Sequence, residues 1–148
     1  MIDEKIFEFQ IDGEVKAKQS VKFARCGNYI KKYTPKDMTT YANWVKLCFQ
    51  KACPNHSPIE LEGYYLNISI FVHFKIPKSF SKKQKELAKN RFLYPDKKPD
   101  WDNISKNICD ALNGIAYMDD KAIVKGRVEK IYSEKAYVSV ELRAFKYV

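Results

Sequence analysis

Lys98-Pro99-Asp100-Trp101-Asp102-Asn103 runs directly into Ile104-Ser105-Lys106-Asn107-Ile108-Cys109-Asp110-Ala111-Leu112-Asn113-Gly114, and this stretch decides the reading of the chain. Ile104, Ile108, Ala111, Leu112 and Ile115 recur at helical spacing and line one apolar face. Asp102 is placed to cap the start of the helix, and Asn113-Gly114 to stop it, because glycine enters the left-handed region without strain. Asp102, Lys106 and Asp110 fall at i, i+4 and i+8 on the opposite, polar face. A helix apolar on one side has to lie on something, and the segments flanking it supply strands.

Upstream, Leu66, Ile68, Ile70, Val72 and Phe74 alternate and predict a strand. Ile76-Pro77-Lys78-Ser79-Phe80 leaves that strand, and Ser81 caps a short helix running to about Lys89. Residues 91–99 read as loop. Downstream, Ile123–Tyr132 and Ala136–Ala144 alternate, and Ser133-Glu134-Lys135 between them predicts an antiparallel hairpin. Nearer the N-terminus, Phe7, Phe9 and Ile11 share one face of a strand over Ile6–Ile11. Thr34-Pro35-Lys36-Asp37 starts a helix with Tyr41, Val45, Cys48 and Ala52 on its inner side, ending near Pro54. Between these two elements lies a basic segment, residues 12–32, expected to hold a mobile loop and a short strand near Tyr29–Tyr33. The mixture predicts an α+β fold, a mixed sheet flanked by helices in one domain spanning residues 1–148.

The chain has 148 residues, 45% of them hydrophobic, enough for a real core and too apolar for disorder. No apolar run approaches the roughly 18 residues of a membrane span. Met1-Ile2-Asp3-Glu4-Lys5 does not resemble the start of a signal peptide, so a cytoplasmic location is expected, with no membrane partner. Cys26, Cys48, Cys53 and Cys109 form no CxxC pair. Cys48 and Cys53 with His56 lack an obvious fourth zinc ligand, so reduced thiols are expected.

Net charge is +9, from 27 Lys and Arg against 18 Asp and Glu, which favours a polyanionic partner. Against that background the aspartates cluster. In extended backbone Asp100 and Asp102 would point the same way, roughly 6–7 Å apart, with Trp101 turned toward the core. Two carboxylates facing one spot suit Mg²⁺, which takes oxygen ligands and keeps positions open for water and phosphate. Lys106, one turn along, is placed to stabilise charge on a phosphate. Asp119-Asp120 precede a strand that would complete the site if it returned beside Asp100 and Asp102. Residue spacing alone leaves nuclease, phosphatase and polymerase-like chemistry open.

Lys98-Pro99-Asp100-Trp101-Asp102-Asn103, Lys106, Asp110-Ala111-Leu112-Asn113-Gly114 and Asp119-Asp120 together resemble the signature of RusA-type Holliday junction resolvases. The resemblance extends to Ile76–Ser81, to Tyr33-Thr34-Pro35, to the Gly13–Lys18 segment and to Lys130-Ile131-Tyr132. Lys16-Ala17-Lys18-Gln19-Ser20 departs from the proline- and arginine-rich stretch common in that family. The resemblance implies a homodimeric, Mg²⁺-dependent endonuclease (Mn²⁺ substituting) that nicks four-way DNA junctions. It implies Asp100, Asp102 and Asp120 as essential acids, Asp119 as a further metal neighbour and Lys106 as the catalytic lysine. Lys16, Lys18, Arg25, Lys31, Lys78 and Lys98 are the expected DNA contacts. Competing readings are a metal nuclease for forks or flaps, a junction-binding protein that does not cut, and a phosphohydrolase acting on small molecules.

Overall fold

Leu66, Ile68, Ile70 and Val72 are all fully buried, and the strand they define, β4 (Tyr65–Lys75), lies inside the sheet. It pairs antiparallel with β6 (Tyr137–Tyr147) on one side and parallel with β5 (Ile123–Ser133) on the other. β1 (Ile2–Asp12) pairs antiparallel with β6, so the sheet order is β1-β6-β4-β5 and the sheet is mixed, as expected. The computed structural model describes residues 1–16, 22–26, 29–33 and 36–148, with side-chain surroundings for 1–16 and 40–148.

The expected hairpin between the last two strands does not form. β5 and β6 do run in opposite directions, but β4 lies between them. Polarity explains the arrangement. β5 carries Lys125 and Arg127 as exposed residues, and an edge position leaves them in water. β4 has an unbroken apolar face and takes the interior place. Its parallel partner is reached only after a long crossover, which is what parallel pairing demands; that crossover contains α2 (Lys82–Lys89) and α3 (Trp101–Leu112).

α1 (Lys36–Ala52) follows the expected helix, although Thr34 and Pro35 lie outside the described residues. Its inner stripe is Tyr41, Val45 and Phe49 rather than Tyr41, Val45, Cys48 and Ala52. Cys48 is half-buried and Ala52 exposed. The stripe follows i, i+4, i+8 because Phe49 has a ring to bury: it meets Phe9 edge-on at 5.3 Å. α2 begins as expected at Ser81, whose Oγ accepts from the Gln84 N–H at 3.2 Å while the Gln84 side chain accepts from the Ser81 N–H at 2.8 Å.

In the basic segment, β3 (Tyr29–Tyr33) matches the expected short strand, and it pairs with an additional strand, β2 (Lys22–Cys26), in a separate two-stranded sheet. β2 has little alternation to betray it. The mobile loop expected here falls partly on residues 17–21, outside the described residues. Helix faces of α1 and α3 and the inner faces of β1, β4 and β6 share one continuous core. No helix among the described residues is long and apolar enough to cross a membrane.

Candidate active site

Helix α3 carries both faces the sequence predicts. Ile104, Ile108, Ala111 and Leu112 are buried, while Asp102 and Lys106 are exposed on the polar side. The start of the helix differs from expectation. Asp100, not Asp102, occupies the N-cap position, with extended backbone (φ −67°, ψ 155°), and its side chain makes no capping hydrogen bond. Asp102 lies within the first turn. The two carboxylates therefore straddle a helix start instead of sharing one side of an extended segment.

Trp101 explains the shift. It does not enter the core: it is 56% exposed, and its indole N–H donates to the Val128 carbonyl of β5 at 3.0 Å. That bond draws Trp101 into the first turn and moves the cap back to Asp100. It also ties the N-terminus of α3 to β5. At its other end α3 stops as predicted, with Asn113 at the C-cap and Gly114 in the left-handed region (φ +74°).

The connection from α3 to β5 is fastened down residue by residue. The Tyr117 hydroxyl donates to the Cys109 carbonyl at 2.7 Å, with the ring fully buried. The His56 ring, packed against Phe7 and Phe49, meets the Ala116 carbonyl at 2.7 Å, so it takes no part in a site with Cys48 and Cys53. The Asn113 side chain accepts from the backbone N–H of Asp120 at 2.9 Å. In the sequence Asn113 reads only as a helix stop; here it also sets the height of Asp120. Just beyond, Val124 has no partner in the β4–β5 ladder, a bulge of the kind often found beside active sites.

This path brings Asp120 beside α3. Asp102, Lys106 and Asp120 line one open cavity of about 390 Å³, together with Trp101, Asn103 and Cys109. Asp100 and Asp119 are exposed and do not line it. Burial pushes the Asp120 carboxyl above the ordinary range, and the neighbouring charges of Asp119 and Asp110 push it further. Asp119 is held below that range, chiefly by the Lys121 backbone N–H that it accepts at 3.0 Å. Asp110, which the sequence couples to Lys106, thus also acts on Asp120. Burial raises the Cys109 thiol to about 11, so it stays protonated at neutral pH and is a poor nucleophile or ligand.

Among the described residues, no three Asp, Glu, His or Cys side chains converge closely enough to hold a metal ion. The donor chemistry nevertheless fits a hard cation: the acidic groups are all carboxylates, and Asp119 and Asp110 both act to raise the Asp120 carboxyl.

A thermal test follows from that crowding. The raised Asp120 pKa means the folded chain holds this proton more tightly than the unfolded chain. Stability from this group is therefore present at low pH and lost as pH rises through the ordinary carboxylate range and past the raised value. In chelator at pH 7, Asp120→Asn is expected to raise the melting temperature, with the gain vanishing near pH 3. A lower melting temperature at pH 7 would show the carboxylate to be structurally favourable.

The basic residues divide. Lys16 is exposed, and its backbone carbonyl accepts from the buried Asn107 side chain of α3 at 2.8 Å, so the basic segment is tethered to the helix bearing Asp102 and Lys106. Sequence reading gives Asn107 no role; its place among apolar helix residues was the available signal. Lys78 is exposed in the turn after β4. Lys98 borders a different, smaller cavity, with Lys75, Lys97 and His73. Lys18 lies outside the described residues, and Arg25 and Lys31 are described only as backbone positions on β2 and β3.

A family model described as Endodeoxyribonuclease RusA matches residues 12–143. The matched span contains every residue of the acidic site and most of each sheet. The "Uncharacterized protein YqaN" of Bacillus subtilis (strain 168) is 40% identical over 90 residues, 60% of this chain. The match spans 63% of that relative's length, and its name carries no activity. The match across most of the chain, with the cavity of Asp102, Lys106 and Asp120 inside it, assigns the chain to the RusA endodeoxyribonuclease family.

Proposed function

We propose that this protein is a Mg²⁺-dependent endonuclease that resolves four-way DNA junctions by paired nicks. The observation that carries the reading is the convergence of Asp102 and Lys106 from α3 with Asp120 from the entry to β5, on one open cavity of a chain with net charge +9. A pure DNA binder gains nothing from carboxylates at its phosphate-binding surface, whereas phosphodiester hydrolysis does.

Asp102 and Asp120, with Asp100 and Asp119 close in sequence, are the residues that would hold Mg²⁺, or Mn²⁺ in its place. When bound there, the ion supplies Lewis-acid stabilisation of charge on phosphoryl oxygen and eases deprotonation of the attacking water. Lys106 contributes a positive charge next to the phosphorus as negative charge builds on its oxygens. Asp110 and Asp119 hold the local field that keeps Asp120 poised, and Asn113 holds its backbone in place. Attack by water with departure of the 3′ oxygen leaves a 5′ phosphate and a 3′ hydroxyl, ends that a ligase can rejoin. Lys16, Lys18, Arg25, Lys31, Lys78 and Lys98 are the proposed contacts to the DNA backbone.

A four-way junction is close to two-fold symmetric and has to be cut in two strands. A C2 homodimer presents two cavities related by the same symmetry, which is the physical reason to propose one. Incubation of a synthetic four-way junction, a fork and a linear duplex with the protein and Mg²⁺ tests the substrate. The junction is expected to be nicked symmetrically and fastest. Equal cutting of the fork would favour a general branched-DNA nuclease, and binding without nicks would overturn the enzyme.

A further inference from the structure

Trp101 is the largest apolar side chain lining the cavity of Asp102, Lys106 and Asp120, and it is 56% exposed. Its one polar atom is already satisfied, since the indole N–H donates to the Val128 carbonyl at 3.0 Å. That bond fixes one edge of the ring to β5 and leaves the faces as what the side chain offers. Elsewhere in this lysine-rich chain, several rings on and beside the sheet carry a cation on one face. Lys5 and Lys146 lie over Tyr64, Lys97 and Lys130 over Phe74, Lys125 over Phe145 and Arg127 over Phe71. Tryptophan is the best of the aromatic acceptors for a cation. Yet among the described residues neither a cation nor a second ring stacks on Trp101. A rigidly held, uncovered indole beside a phosphate-cutting site has the form of a stacking platform, and the cavity is within the size range of ligand sites.

We propose that Trp101 stacks on the nucleobase next to the phosphodiester being cut and so holds that nucleotide in the cavity. The inference rests on the nuclease reading above. Stacking needs only a π-face, so it orients the strand without choosing a base. Trp101 is a positioning residue here, one that acts on the substrate by contact and takes no part in proton or electron transfer.

The test crosses a protein change with a DNA change. Trp101→Ala and Trp101→Phe are compared with the unsubstituted protein on an intact four-way junction and on junctions with an abasic nucleotide on either side of the mapped cut. Dissociation constants are measured in chelator, and single-turnover nicking with Mg²⁺. On intact junction Trp101→Ala is expected to weaken binding roughly 5- to 150-fold, the range of one lost base–aromatic stack. Trp101→Phe should keep most of the affinity, because it keeps a ring while losing the bond to Val128. On the abasic junction the gap between Trp101→Ala and the unsubstituted protein should close. In a Trp44→Phe background, where Trp101 is the remaining tryptophan, junction should quench the emission. The proposal is overturned if Trp101→Ala loses as much on abasic as on intact DNA, if Trp101→Phe behaves like Trp101→Ala, or if Trp101→Ala binds and nicks normally. Failure of the unsubstituted protein to bind or nick branched DNA would instead bring down the nuclease reading, and this one with it.

Discussion

Asp102→Asn is expected to slow junction nicking by roughly 10³-fold or more while leaving junction binding intact, several kcal/mol of transition-state stabilisation being at stake. The substitution keeps the size of the side chain and removes one negative charge from a surface that has to accept phosphates. Asp102 is exposed in the first turn of α3, and the helix is anchored by Ile104, Ile108 and Leu112 below it, so the fold should survive. Single-turnover cleavage and gel-shift binding at low salt, run on the same preparation, separate the two effects. Loss of binding in a folded variant would count against a role for Asp102 at the cutting site. Nicking within tenfold of the unsubstituted protein would move the chemistry elsewhere.

The second large effect is ionic. Each phosphate neutralised by lysine or arginine releases condensed counterions, so affinity falls linearly with salt on a log–log plot. For about six neutralised phosphates, raising salt from about 50 to 200 mM should weaken junction binding about 10³-fold. The exposed Lys16, Lys78 and Lys98 are described parts of the surface invoked, and Asn107 ties the Lys16 backbone to α3. Binding is best followed in chelator, where nicking does not interfere. A flat response would refute a phosphate-tracking surface. Lys16→Ala and Lys98→Ala should each reduce the slope by about one, and a variant that weakens binding without changing the slope does not contact phosphate.

The parts of the fold that the sequence predicts well are those with strong local periodicity. β4 shows its alternation at Leu66, Ile68, Ile70 and Val72, and α3 its apolar stripe from Ile104 to Leu112. Ser81 with Gln84 forms a capping box that is local by nature. The errors fall where a distant partner decides. The hairpin predicted between Ile123–Tyr132 and Ala136–Ala144 fails because β4 outcompetes β5 for the interior place beside β6. β2 escapes notice because Lys22-Phe23-Ala24-Arg25-Cys26 becomes a strand by pairing with β3. Cys48 yields to Phe49 on α1 because aromatic packing against Phe9 rotates the buried stripe.

The candidate site divides along the same line. Residue types and spacing alone determine that Asp102, Lys106 and Asp110 share a helix face, that Asp119-Asp120 follow the helix, and that all this occurs in a strongly basic chain. They do so because helical geometry is local and charge is additive. Only the tertiary structure decides that Asp120 returns to the cavity of Asp102 and Lys106, that Asp100 takes the cap, and that Trp101 faces water. The physical reason is one set of hydrogen bonds from the α3–β5 region, which hydrophobic periodicity does not specify. Val128 receives the Trp101 indole, Asn113 receives the Asp120 N–H, and Cys109 receives the Tyr117 hydroxyl. The Trp101–Val128 bond exists only once β5 lies parallel to β4, a pairing made across a crossover that no local pattern specifies.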